Sequence, residues 1–282
     1  MINLTKEIYN AFNKNAAHYE SVAKIQIEIG RRLFARLGYL KIKPNYVLDL
    51  GCGPGIFCQL LKNYYKDAEI IGLDLSLPML QQANNKQTDE CQWSLVNGDM
   101  QALPFADHTF GLIFANQVLH WGESLPIILH ELKRILHTDG CLMFTTLGPD
   151  TFQELKAAWQ EVDHFAHTNT FLDLHIIGDH LLATEFADPV MDLEMLVAHY
   201  NSLPSLLKSL KAQGVRNINS KRNPGLTGKQ AWQLFNNAYT PLANGKYPLT
   251  YEVVFGHAWK SADNNKQNQT ETFIPVSMIK RI

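Results

Sequence analysis

No apolar run in the chain is long enough to span a bilayer. The stretch from Met1 to Glu20 is polar and mixed in charge, without the apolar core and small-residue cleavage site of a secretory signal. The expected compartment is therefore the cytoplasm, with no membrane association. Cysteine is scarce: Cys52, Cys58, Cys91 and Cys141 form no C-x-x-C pair, so neither a structural zinc site nor a dithiol redox motif is expected. Free thiols in a reducing compartment are the plain reading. The 11 histidines show no H-E-x-x-H spacing. His164 and His167, beside Asp163, read as a solvated helix face, because no further metal ligand accompanies them. Repeats and low-complexity tracts are absent, and the one Asn/Gln-rich patch, Asp263 to Gln269, reads as an exposed loop. Acidic residues are also missing between Glu194 and Glu252, although the formal net charge of the whole chain is −2. That interval holds Lys208, Lys211, Arg216, Lys221, Arg222, Lys229 and Lys246, whereas Tyr46 to Glu194 is rich in Asp and Glu. Such segregation suggests an acidic partner or substrate for the basic stretch, the alternative being a solvated basic surface.

What remains is an ordinary globular composition, 46% hydrophobic and 18% charged over 282 residues, which buries a full core without metal or disulfide support. Leu4 to Leu40 reads as helical, with Ile25, Ile29, Leu33 and Leu37 at helical spacing. Lys43-Pro44-Asn45 breaks that pattern. An alternation of short apolar runs and helical segments follows. Strands are expected at 46–50, 69–74, 92–96, 109–116 and 141–146, and helices at 54–65, 76–86 and 124–136, with Ser76 as an N-cap. Alternation of this kind argues for a doubly wound, mostly parallel α/β sheet, Rossmann-like, covered on both faces. After Leu147 the rhythm changes. Helices are expected at 150–162, 171–183, 204–212 and 228–239. Strands are expected at 190–200 and 249–259, with a weaker one at 273–279, so the sheet gains late antiparallel strands with a helical insertion between them.

The sharpest local signal is Asp49-Leu50-Gly51-Cys52-Gly53-Pro54-Gly55, which follows a strand and opens a helix. Glycines there allow a tight turn and close approach to a ligand at the carboxyl end of the sheet. A nicotinamide dinucleotide site wants G-x-G-x-x-G, whereas this chain has G-x-G-x-G preceded by an acid, and the phosphate-loop lysine is missing. Asp49 disfavours a pyrophosphate and suits a cationic amino-acid moiety. Asp74, followed by Leu75, ends the next strand, where a carboxylate accepts from both hydroxyls of a ribose. Asn97-Gly98-Asp99-Met100 ends the third strand. There Asp99 is placed to accept from an adenine amino group, with Met100 packing the ring. Asn116-Gln117 ends the fourth strand beside the same crevice.

The segments V-L-D-L-G-C-G-P-G, G-L-D-L-S, G-D-M-Q-A-L-P-F and A-N-Q-V-L-H-W, in this order, resemble class I methyltransferases over Tyr46 to Leu147. Outside that core, Ala11-Phe12 through Ala16-Ala17-His18-Tyr19 resembles small-molecule methyltransferases of the quinone- and biotin-pathway type. T-L-G-P-D-T-F-Q-E-L from Thr146 narrows the match, together with F-L-D-L-H-I-I-G-D from Phe171 and F-A-D-P-V-M-D from Phe186. L-K-A-Q-G-V-R-N from Leu210, G-L-T-G-K from Gly225 and T-Y-E-V-V-F-G-H-A-W from Thr250 complete it. Together these segments resemble the malonyl-acyl-carrier-protein O-methyltransferases of biotin synthesis, the BioC family, over nearly the whole chain. The chain departs from that pattern at Ile176, where an acid is common, and at Glu185, where a glycine is common.

The resemblance implies S-adenosyl-L-methionine as methyl donor, S-adenosyl-L-homocysteine as product, and no metal. The expected donor-binding set is Asp49, Gly51, Cys52, Gly53, Gly55, Asp74, Leu75, Asp99, Met100 and Asn116. The implied reaction methylates the free carboxylate of a malonyl thioester carried by an acidic acyl-carrier protein or by coenzyme A. That carboxylate is ionised at neutral pH and needs no general base. It needs a cation to orient it, and Arg216 and Arg222 are the candidates, since a planar guanidinium matches a carboxylate. Tyr19 is a candidate lid over the methyl group, and His120 and Trp121 are candidates to line the acceptor pocket. The expected organisation is one monomeric domain over 1–282. It comprises a helical cap over 1–44, a cofactor-binding core over 45–147, and a C-terminal half over 148–282 with the insertion at about 201–247. A ring or phenol acceptor would instead require His120 as a base. RNA is disfavoured as a partner because Trp232, Phe235 and Tyr239 sit at core-packing spacing rather than as a stacking platform.

Overall fold

A computed structural model describes residues 4–213, 217, 219, 222, 225 and 227–261. The expected loop over 263–269, the expected strand over 273–279, Arg216 and Lys221 lie outside the described residues. Seven strands form one sheet in the order β3-β2-β1-β4-β5-β7-β6. They are β1 Tyr46–Leu50, β2 Glu69–Asp74, β3 Ser94–Asn97, β4 Phe110–Asn116, β5 Leu136–Leu147, β6 Ala187–Tyr200 and β7 Tyr247–Trp259. The first five pair in parallel, and β7 runs antiparallel to both of its neighbours, β5 and β6.

The strands alternate between two cores. Val47, Leu112, Cys141 and Val253 face one, and Leu48, Ile113, Leu142 and Val254 face the other. Both faces are apolar, as strands sandwiched between helices require. On the first face pack α3 (Lys24–Arg36) through Ile29 and Leu33, and α4 (Ile56–Tyr64) through Phe57 and Leu61. On the second pack α6 (Leu125–Ile135) and α8 (Leu174–Ala183). Helices α1 (Leu4–Asn15), α2 (Tyr19–Val22), α5 (Leu77–Asn84) and α7 (Gln153–Gln160) complete the parallel part and its cap. The Ser76 side chain accepts from the Met79 N–H and caps α5, as expected from sequence. The insertion between β6 and β7 carries α9 (Leu203–Ala212) and α10 (Lys229–Ala238). Phe235 and Tyr239 are buried, and Phe235 stacks on Trp159 at 4.2 Å. Lys208, Lys211, Lys229 and Lys246 are exposed.

Strands β5, β6 and β7 are longer than the sequence pattern implies, β7 by two residues at its start. Pairing of β5 begins at Leu136, opposite Phe110, and resumes at Cys141 opposite Leu112. The intervening Thr138-Asp139-Gly140 signals a turn but is accommodated as a bulge, with Asp139 in the left-handed region. Strand β6 starts at Ala187, three residues before the expected start, because Ala187 pairs with Trp259 across a register shift.

Two segments that lie far apart in the chain interlock. The Phe152 N–H donates to the Thr250 carbonyl at 2.7 Å, and the Thr250 N–H donates to Glu154 at 2.9 Å. The Thr250 hydroxyl also donates to Glu154. Thr151 Oγ1 exchanges hydrogen bonds of 3.1 Å with the Glu252 backbone, and buried Glu252 accepts from the Asp150 N–H. Motifs T-L-G-P-D-T-F-Q-E-L and T-Y-E thus hold β7 against the segment that leaves β5.

Helix α8 ends in a Schellman arrangement, with Phe186 N–H donating to the Leu181 carbonyl and Glu185 N–H to that of Leu182. Glu185 occupies the left-handed position, at φ 60°, where a side chain costs about 1 kcal/mol relative to glycine. Its contact with Lys133 is surface-exposed and offsets little. Glu185→Gly is expected to raise the unfolding free energy by about 1 kcal/mol, read as a higher urea midpoint at unchanged slope.

Candidate active site

In a doubly wound sheet the ligand crevice lies at the carboxyl edge, where strand order reverses. Here the reversal falls between β1 and β4. A cleft opens there, enclosing about 1150 Å³ with its open solvent included. Its wall runs along the strand ends, from Asp99 after β3, through Asp74, Gly51 and Asn116, to Leu147 at the end of β5 and Tyr251 on β7.

The glycine turn is set by backbone geometry. Gly51, Gly53 and Gly55 have φ values of 69°, 52° and 77°. At Gly53 an added Cβ would meet no atom within 4 Å, so this backbone faces the open cleft. At Gly55, the N-cap of α4, an added Cβ would meet Ala83 at 2.9 Å. The two glycines thus serve different ends, ligand approach at Gly53 and helix packing at Gly55.

Asp74 fastens the turn to β2. One carboxylate oxygen accepts from the Gly53 N–H at 2.9 Å and the other from the Ser76 N–H at 2.8 Å. Burial raises its pKa, against the two backbone donors. Asn97 Nδ2 donates to the carbonyls of Asp74 and Leu75 at 2.9 and 2.8 Å, which ties β3 to the same corner. Asp99 accepts from the Gln101 N–H at 2.9 Å. Asn116 Nδ2 donates to the Gln26 carbonyl at 3.1 Å, and its oxygen accepts from Thr145 Oγ1 at 2.8 Å. Helix α3 is thereby latched over the end of β4. Gln117, next in sequence, is held at φ 55°, with its N–H donating to Thr145 Oγ1 at 2.9 Å.

Ten of the residues singled out from the sequence line this cleft: Tyr19, Gly51, Gly53, Asp74, Leu75, Asp99, Met100, Asn116, His120 and Trp121. Asp49, Cys52 and Gly55 stand behind its wall. Asp49 is buried and accepts from the Cys58 thiol at 3.2 Å. It therefore faces α4, where a direct contact with a cationic ligand had been expected. Arg222 is also off the wall. Its Nη1 donates to the Asn217 carbonyl at 3.0 Å, and Asn219 Nδ2 donates to Thr170 Oγ1 at 3.2 Å. Asn219 thus ties the insertion to the segment that carries Asn169 and Phe171 into the cleft.

Rings line the cleft from helix α1 round to β7. Phe12 meets Trp121 edge-on at 5.4 Å and Tyr19 at 6.2 Å. His120 lies 5.1 Å from Trp121 and 5.6 Å from Phe171. Phe152 lies 6.4 Å from Phe171 and 5.0 Å from Tyr251. His120 Nδ1 is 3.3 Å from Thr146 Oγ1, and burial pushes its pKa down to about 3. Burial also raises the Tyr19 phenol, with nearby Asp74 adding to it. The sequence reading gave no site role to Phe12, Gln26, Phe152, Phe171, Gln213 or Tyr251. Phe12, Phe152, Phe171 and Tyr251 lie inside motifs that carry the family resemblance, which was the available signal. Gln213 likewise lies inside L-K-A-Q-G-V-R-N, whereas Gln26 carries no such signal, being a polar residue of a helical segment. Gln26 Nε2 donates to Gln213 Oε1 at 2.9 Å, which leaves Gln26 Oε1 buried without a partner among the described residues.

Burial pushes the Asp49 carboxyl up to about 7, against the Cys58 thiol, with Asp74 adding to it. A folded pKa above the unfolded value stabilises the fold fully below about pH 4, and that contribution is lost as pH rises toward 7. Asp49→Asn keeps an oxygen for the Cys58 thiol and has no charge to bury. Ligand-free wild type is expected to lose a few kcal/mol relative to this variant between about pH 4 and 7. Urea midpoints at stepped pH measure the difference, and parallel curves would refute the assignment.

The methyltransferase domain family matches residues 48–144, which span β1 to β5. A malonyl-[acyl-carrier protein] O-methyltransferase from Legionella pneumophila is 55% identical over 278 residues, covering 98% of each chain. One from Gallionella capsiferriformans is 40% identical over 264 residues, covering 91% of each. The crystal structure of the YcgJ protein from Bacillus subtilis superposes with a TM-score of 0.59, over 82% of this chain and 99% of that one, at 16% identity. That likeness speaks for the fold alone. With full-length similarity at this level, and a cleft at the carboxyl edge of the sheet, the chain belongs to the malonyl-[acyl-carrier protein] O-methyltransferase family.

Proposed function

We propose that the protein transfers the methyl group of S-adenosyl-L-methionine to the free carboxylate of a malonyl thioester borne by acyl-carrier protein. The observation that carries this reading is the division of one cleft into an acid-edged end over β2 and β3 and a ring-lined end over β5 and β7. When bound, S-adenosyl-L-methionine supplies a methyl group on a positively charged sulfur. The residues at the first end fit that ligand. Each Asp74 oxygen accepts one backbone N–H and retains a lone pair for a ribose hydroxyl. Asp99, Leu75 and Met100 flank the place of a base, and the open face of Gly53 admits the chain of the donor. Gln26 Oε1, buried and unpartnered, suits an ammonium group. Asp49, behind the turn, contributes negative potential rather than contact.

A carboxylate acceptor is a nucleophile without proton removal. Its oxygen forms a bond to the methyl carbon while the bond from that carbon to sulfur breaks, and no proton changes place. The low pKa of His120 makes it a weak base and favours such a pre-ionised acceptor over a phenol. Tyr19, Phe12 and Trp121 exclude water from the reacting atoms. For the cation that orients the carboxylate, Arg216 follows the cleft residue Gln213 by three positions, and Arg222 donates to the Asn217 carbonyl within the same insertion. The exposed lysines of the insertion supply a docking field for an acidic carrier, and that attraction weakens with salt.

Labelled methyl is expected to pass to malonyl-acyl-carrier protein and to return as methanol on mild base treatment. Label retained on RNA, or on the acceptor after base, would overturn the carboxylate reading. At saturating substrates kcat is expected to be flat from pH 6 to 8, because neither His120 nor the acceptor titrates there and the bound sulfonium cation keeps nearby Asp49 ionised. Gly53→Ala places a methyl group in the cleft at a positive φ. It is expected to weaken donor affinity by tenfold or more in calorimetry, while the unfolding free energy falls by only about 1–2 kcal/mol.

A further inference from the structure

Tyr251 has an environment that packing alone does not explain. It is 1% exposed, yet its hydroxyl has no hydrogen-bond partner of acceptable geometry among the described residues. The neighbouring Tyr200 phenol directs its proton to Ser209 Oγ at 3.4 Å. Burial, followed by the charge and the hydroxyl contact of Tyr200, too poorly aligned to be a formed hydrogen bond, holds the Tyr251 phenol well above its ordinary pKa, so it stays protonated and acts as a donor. A buried hydroxyl left unpaired lowers stability, and where a fold keeps one a functional reason is called for. A phenylalanine would fill the same space without that penalty.

Position supplies the reason. Val253 pairs with Leu147, the last residue of β5, so Tyr251, two residues earlier on the antiparallel β7, projects beyond the carboxyl edge and lines the cleft. Three strand spacings separate it from the glycine turn after β1, roughly 14 Å. Several constraints hold it there. Its neighbours Thr250 and Glu252 are the residues locked to Thr151, Phe152 and Glu154, and Phe152 packs edge-on against its ring from a left-handed backbone position. Phe152 and Tyr251 are thus set as a pair, with strain accepted at one and an unpaired group at the other. This is the pattern of a binding site rather than a core.

We propose that the Tyr251 hydroxyl donates a hydrogen bond to the thioester carbonyl oxygen of the acceptor acyl group. This rests on the reading of the acceptor as a malonyl thioester. The nucleophilic carboxylate must face the donor methyl near β1 and β4, so the next oxygen along the acyl chain lies on the β7 side. Rings line that end, and among the described lining residues there is no lysine or arginine. A neutral donor there selects a carbonyl and distinguishes a malonyl thioester from a carboxylate of similar length without one.

The test compares wild type with Tyr251→Phe on two acceptors, malonyl-acyl-carrier protein and the carrier bearing an S-(2-carboxyethyl) thioether, in which a methylene replaces the carbonyl. Wild type is expected to favour the thioester by about tenfold or more in kcat/KM, since a site built to hydrogen-bond a group discriminates against its absence. Tyr251→Phe is expected to lose that preference by slowing on the thioester alone. Its donor affinity should be unchanged and its melting temperature equal or higher, because no intramolecular hydrogen bond is removed. An unchanged kcat/KM on the thioester, or an equal fall on both acceptors, would overturn the inference while leaving the proposed function standing. Failure of wild type to methylate either acceptor would overturn the proposed function itself.

Discussion

The Asp74 carboxylate is the fastening on which the cleft depends. Its two oxygens each hold a backbone N–H, one from the glycine turn after β1 and one from Ser76, the second residue beyond β2. Two loops that would otherwise move separately are thereby tied at one corner. Such charge-assisted bonds to backbone are among the stronger ones available, and they operate where burial already disfavours the charge. The turn can be glycine-rich, and therefore permissive, because its position is fixed from outside by this acid. On the other side of the reversal point Asn116 and Thr145 do the same for β4, β5 and helix α3.

At the acidic end the electrostatics are unfavourable by design. Asp49 and Asp74 are close enough for Asp74 to raise the pKa of Asp49, and burial raises both. A cation that arrives there relieves the repulsion and shares the cost of desolvation. Across the cleft the ring-lined wall carries no comparable charge among its described residues. One crevice thus offers two chemically opposite surfaces, and a reaction that brings a positive sulfur to a negative oxygen needs that separation.

The late strands do more than extend the sheet. By running antiparallel to β5, β7 brings residues from its own beginning to the edge where the parallel strands end. The hydrogen bonds between the stretch after β5 and the start of β7 hold these residues to within side-chain precision. Two of the segments that resemble the family outside the cofactor core, T-L-G-P-D-T-F-Q-E-L and the one from Thr250, are these interlocking ones. Their distinctiveness reflects a structural joint that shapes the acceptor end.

Much of the fold was legible in the residue order. Strand and helix periods, the Ser76 cap and the glycine turn are local, because each depends on neighbours within a few positions. The polar strand ends Asp74, Asp99 and Asn116 could be read as one constellation, since a parallel sheet puts all its carboxyl ends on one edge. The bulge in β5 and the early start of β6 could not, because they arise from pairing across the sheet. Likewise the burial of Asp49 behind the turn, the placing of Arg222 off the cleft wall and the joining of Phe152 to Tyr251 were decided only by tertiary packing. A side chain in a strand has two faces to choose from, and which of them meets the ligand depends on elements a hundred residues away in the chain.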